Sequence, residues 1–87
     1  MRTTDRYFRT ANFYGAAFAL ARGLELVSID RDDPRRNQFV FRDAPEREEW
    51  LHAYSFAPEG APEVLVDARK FVTAIKALKE KLYDHRT

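Results

Sequence analysis

The chain has 87 residues, 45% of them hydrophobic, 14% aromatic and 33% charged, with no cysteine and a formal net charge of +1. That length predicts one domain over residues 1–87, with 8–83 as its core and frayed ends at 1–5 and 84–87. The absence of cysteine excludes a disulfide framework, a thiolate metal site and a cysteine nucleophile.

Arg6 to Thr10 reads as a short extended lead-in. Thr10 or Asn12 then caps a helix over about 11–22, because either side chain can accept a free N–H of the first turn. Gly23 follows, where a left-handed residue closes a helix. This helix is apolar nearly all round, with Phe13, Ala17 and Leu20 on one face and Tyr14, Phe18 and Ala21 beside it. Such a helix is buried on more than one side. It is therefore either the central element of the fold or part of a self-association surface. With Arg2, Arg6 and Arg9 ahead of it, the segment also mimics a secretory leader, but Asp5 and the alanine-rich stretch favour a structural helix and a cytoplasmic location.

Leu24 to Ile29 reads as a strand whose alternation slips near Val27, which predicts a bulge or two covered faces. Asp30 to Arg36 is a polar turn, and Asn37 to Arg42 a second strand with Phe39 and Phe41 on one face. The pair is an antiparallel hairpin. Asp43 and Glu46 have the spacing of a capping box at the start of a second helix that fades by Phe56. Its inward stripe is Trp50, Leu51 and Tyr54. Pro58, Gly60 and Pro62 break regular structure. Glu63 to Val66 is a candidate short third strand. Asp67 caps a last helix to about Tyr83, with Phe71, Ile75, Leu78 and Leu82 as its apolar stripe. The expected class is α+β, in the order α-β-β-α-(β)-α, with about three helices on one face of a small antiparallel sheet.

These residues resemble a family of short bacterial and bacteriophage proteins catalogued as a domain of unknown function. The pattern begins with Phe8-Arg9-Thr10-Ala11-Asn12-Phe13-Tyr14, then Ala16-Ala17-Phe18 and Arg22-Gly23. It continues as Phe39-Val40-Phe41-Arg42-Asp43 and as Asp67-Ala68-Arg69-Lys70-Phe71, running on to Lys79 and Leu82. The resemblance covers about residues 8–83 and implies a setting in bacterial, phage or mobile-element genomes. Asn12 stands where the family has aspartate. A helix cap tolerates that exchange, because both side chains accept the same bond.

Sites of catalysis are hard to assemble. Ser28 and Ser55 lie outside any nucleophile-elbow pattern, and three glycines form no phosphate-cradling loop. Glu46, Glu48 and Glu49 suit the positive end of a helix dipole. Asp30, Asp32 and Asp33 lack the glycine and bidentate glutamate of a calcium loop. His52 and His85 form no metal-ligand pair. The expectation is a non-enzymatic module without cofactor, metal or membrane span.

The charge is zoned. Residues 1–43 carry eight arginines against six acids, or +2; residues 44–67 sum to −5 and residues 68–87 to +4. Arg31, Arg35, Arg36 and Arg42 surround the aromatic hairpin, and Arg69, Lys70, Lys76 and Lys81 line the last helix. Interleaved arginines and aromatics can hold a nucleic-acid backbone and stack its bases. The other reading puts both phenylalanines in the core and pairs the arginines with Asp30, Asp32 and Asp33. The expected function is a small accessory module that contacts nucleic acid or a nucleoprotein complex. The alternative is a protein-interaction or homo-oligomerisation module, with Tyr14, Phe18 and Trp50 as interface candidates.

Overall fold

The computed structural model describes residues 6–33 and 35–84. Expectations that fall on residues 1–5, Pro34 and 85–87, including most of the frayed ends, lie outside the described residues.

The elements follow as strand β1 (Tyr7–Thr10), helix α1 (Phe13–Ala21), strands β2 (Glu25–Asp30) and β3 (Gln38–Arg42), helix α2 (Arg47–Phe56), a 3-10 helix (Pro62–Val64) and helix α3 (Ala68–Tyr83). The strands form one antiparallel sheet in the order β1-β3-β2. The α+β class with three helices and a three-stranded antiparallel sheet holds. The source of the third strand differs from the expectation at Glu63–Val66. The extended lead-in supplies it instead, and the ladder continues past β1 where the Asp43 N–H donates to the Arg6 carbonyl. Pro62 has no N–H to give a ladder, and the chain closes on itself there through Val64 N–H to Ala61 and Leu65 N–H to Pro62.

Local chemistry explains the boundaries of α1. The Asn12 side chain accepts the Gly15 N–H at 3.0 Å, and the Thr10 hydroxyl accepts the Asn12 N–H at 3.1 Å. Both predicted cap residues are therefore used, one for the helix and one for the residue that caps it. At the other end Gly23 takes φ +114°, its N–H donates to Leu20, and the Leu24 N–H donates back to Ala19. This Schellman closure turns the chain directly into β2 and buries Leu24. Asp67 caps α3 as predicted, accepting the N–H groups of Arg69 and Lys70.

The start of α2 departs from the capping-box expectation. Glu46 occupies the cap position without a side-chain bond. Asp43 is drawn into the sheet ladder, and its carboxylate accepts the Ala44 N–H and two bonds from the Arg47 guanidinium. With its carboxylate taken up by Ala44 and the Arg47 side chain, Asp43 caps no N–H of the first turn, and α2 starts at Arg47.

The core settles the two readings of α1. Ala16, Ala17 and Ala19 meet Phe39 and Phe41 from the sheet and Ala74 and Leu78 from α3. The small residues that leave α1 without a polar face let it sit between the sheet and α3, as the central element. The slip in β2 is a bulge at Val27, where Leu26 faces Phe41 and Ser28 faces Val40. It restores Ile29 to the face that holds Phe39. Among the described residues no helix is long and apolar enough to cross a membrane.

Candidate nucleic-acid interface

The sheet has one face packed under the helices and one without a helix over it. The uncovered face carries Tyr7, Arg9, Val40, Arg42, Glu25 and Asp30. Its arginines are engaged. Arg42 pairs with Glu25 at 3.3 Å across the strand boundary and lies over the Tyr7 ring. Arg9 on β1 pairs with Asp30 on β2 at 3.3 Å. To reach it, the Arg9 side chain must cross β3, and its register partner there is Val40. This crossing explains why Val40, on the helix-free face, is only 5% exposed. Two arginines thus roof the open face.

The predicted hairpin platform is not assembled. Phe39 and Phe41 are buried at 3% and 0% exposure and cannot stack a base. The core reading of these two residues is the correct one. Arg31 is occupied by another partner: its guanidinium donates to the carbonyls of Lys81 and Leu82 at 3.1 and 3.0 Å. Both belong to the last turn of α3, where carbonyls lack intrahelical partners; the Lys81 carbonyl also accepts the Asp84 N–H. Arg35 and Arg36 are exposed at the turn, beside Asp32 and Asp33. The turn is shaped by its acids, with Asp30 accepting the Asp32 N–H and Asp33 accepting the Arg35 N–H.

The remaining cations lie on α3. Arg69, Lys70, Lys76 and Lys81 are exposed, and Lys79 joins them. Lys79 was absent from the sequence-based candidates, although it lies three residues beyond Lys76, a spacing that puts both on the outer arc. Among the described residues none of these five, nor Arg35 or Arg36, forms an ion pair. Glu80 is the one carboxylate within α3. The five cations span about 18 Å along the helix axis and about 200° around it, with Arg69 and Lys76 outermost beside Glu80, Lys70 and Lys81 on one flank and Lys79 on the other. Arg31 ties the arginine turn to the far end of that helix.

The sequence comparisons can be set beside this geometry. Residues 5–84 match a family described as Domain of unknown function (DUF5659). The chain belongs to that family. Neither a curated protein nor a solved structure was found to match it.

In this DUF5659 chain the partner-interface candidates separate. Phe18 is buried at 2% exposure against the Tyr54 ring and offers nothing to a partner. Trp50 is half-buried under Arg22, whose guanidinium lies 5.4 Å from its ring centre. Tyr14 is exposed. A different apolar feature went unread in the sequence. A cleft of about 560 Å³ opens between α1, α2 and the start of α3, lined by Tyr54, Ala57, Val64, Leu65, Val66 and Phe71 among others. Leu65 and Phe56, the latter adjoining Ala57, are strongly exposed. The proline and glycine run that forms one wall has no periodicity, so no sequence pattern marks it.

Proposed function

We propose that this protein is a small non-enzymatic accessory module that contacts nucleic-acid phosphates through α3. The carrying observation is the set of exposed α3 cations, Arg69, Lys70, Lys76, Lys79 and Lys81, none of which forms an ion pair among the described residues. Cations already neutralised by carboxylates release few counterions on binding, whereas free ones release many. The turn bearing Arg35 and Arg36 is an auxiliary contact, diluted by Asp32 and Asp33. The acidic start of α2, with Glu46, Glu48 and Glu49, faces away from phosphate or meets a protein of the same complex. A low-salt gel-shift titration against single- and double-stranded DNA and RNA tests the reading. Binding that weakens steeply with salt supports it, and no shift with any of them overturns it.

The exposed Leu65 and Phe56 beside the apolar cleft favour a second reading, self-association through that patch. Light scattering at high concentration tests it. A strict monomer removes it, and a dimer that Leu65→Asp dissolves supports it.

A further inference from the structure

We infer that the nucleic acid held by α3 is a duplex gripped by its phosphates, not a single strand stacked on aromatic rings. The inference rests on the phosphate-contact reading and names its substrate class. Proteins that hold single strands combine a cationic groove with a series of aromatic rings on which successive bases stack. Of the exposed rings, Tyr7 stands on β1, Tyr14 on α1 and Phe56 at the end of α2, so α3 itself carries no such series. Phe39 and Phe41 are in the core, and Phe8 lies under the Arg47 guanidinium, 4.1 Å from its ring centre. Tyr7 sits on the helix-free sheet face with Arg42 over its ring. On α3 itself Tyr83 is the one strongly exposed aromatic, at the last residue of the helix, and a lone ring cannot order a strand.

The free cations have the opposite property. They stand on a continuous helix whose shape is held by Ala74 and Leu78 in the core. The cations extend about 18 Å along the axis, roughly five base-pair steps of a duplex, and flank the outer face of the helix on both sides. A duplex offers phosphates at fixed positions to such a rigid set. A flexible strand must be ordered to match it.

Fluorescence anisotropy of the full chain with a short labelled DNA duplex, and with each of its strands alone, tests this. The duplex is expected to bind about tenfold more tightly than either strand. Its log-log salt slope is expected at about −3 if the cations on one side of the helix, Arg69, Lys70 and Lys76, each meet one phosphate. Lys70→Glu with Lys76→Glu is expected to reduce duplex binding by about tenfold or more, on the same counterion argument. Circular dichroism melts establish that this variant is folded. Tyr83→Ala is expected to leave duplex affinity unchanged. Equal or tighter binding of a single strand, or loss of binding in Tyr83→Ala, overturns the duplex assignment alone. Absence of binding to duplex and strands alike overturns the phosphate-contact reading and this inference with it.

Discussion

Asp43 and Arg47 form a two-pronged ion pair, with Nε to Oδ1 at 3.0 Å and Nη2 to Oδ2 at 3.1 Å, both side chains mostly out of solvent. Asp43 ends the β3 side of the ladder and Arg47 begins α2. The same guanidinium stacks on Phe8 of β1, so one pair joins three elements. Its Asp43 is the acid that closes the aromatic strand pattern in the sequence.

The pair makes stability depend on pH. The hydrogen bonds from Arg47 hold the Asp43 carboxyl below its ordinary value, against the opposing effect of burial, with help from the Ala44 N–H and the charges of Arg47 and Arg6. A carboxyl whose pKa is lower in the folded state contributes stability in full above its unfolded value of about 3.9. That contribution is lost as pH falls through the folded value. Asp43→Ala is expected to cost about 1.5–3 kcal/mol at neutral pH, the range for hydrogen bonds to a charged group. Urea unfolding at pH 7 and at decreasing pH below about 4 checks this, with the gap between wild type and variant closing as acid protonates Asp43. A constant gap would refute the assignment.

The cap of α1 gives a prediction that runs against helix propensity. Glycine to alanine inside a helix ordinarily stabilises by about 1 kcal/mol. A Cβ on Gly15 would stand 3.1 Å from Cγ and Nδ2 of Asn12, the residue whose Oδ1 accepts the Gly15 N–H. Gly15→Ala is therefore expected to lose that gain, because Asn12 must shift from its capping position. Asn12→Ala alone is expected to cost about 0.5–2 kcal/mol and Asn12→Asp little. In the Asn12→Ala background the obstruction is gone, and Gly15→Ala should then stabilise. Thermal melts of this double-mutant cycle read the coupling directly.

The roof over Val40 separates packing from charge. Asp30→Asn keeps an oxygen for the Asp32 N–H and removes only the ion pair with Arg9. The Arg9 side chain is half exposed, so that loss is expected to be below about 1 kcal/mol and to shrink in high salt. Arg9→Ala also strips the stem from Val40. It is expected to cost more than Asp30→Asn, and the excess should persist in high salt. Denaturant midpoints at low and high salt distinguish the two contributions.

Arg31 is expected to act on the helix end and not on phosphate. Arg31→Ala removes the side-chain donor from the carbonyls of Lys81 and Leu82 and should speed amide exchange in the last turn of α3. Amide exchange followed by NMR reads that fraying residue by residue. An Arg31→Ala variant that binds duplex tenfold more weakly with unchanged exchange at α3 would return Arg31 to the interface.

Much of the fold was legible because the relevant forces are local. The Asn12 and Asp67 caps, the Gly23 stop, the bulge at Val27 and the apolar stripe of α3 all depend on residues within a few positions of one another. The candidate site was less legible. Phe39, Arg31 and Arg42 were weighed together because they are close in the sequence. In the fold Phe39 turns inward, Arg31 reaches fifty residues ahead to Lys81, and Arg42 turns to Glu25.

Length, the lack of cysteine and the zoned charge of +2, −5 and +4 follow from the sequence alone. So does the basic character of the last helix, because periodicity assigns its outward positions. Only the tertiary structure decided which cations are free. Charges interact through space over a few ångströms, and whether a carboxylate or carbonyl lies within that distance depends on strand order and register. The order β1-β3-β2 sends Arg9 across Val40 to Asp30, and the packing of β2 beside α3 gives Arg31 its carbonyls. The α3 cations, with Arg35 and Arg36 at the turn, are left without an ion pair among the described residues of a chain whose charges nearly cancel in sum.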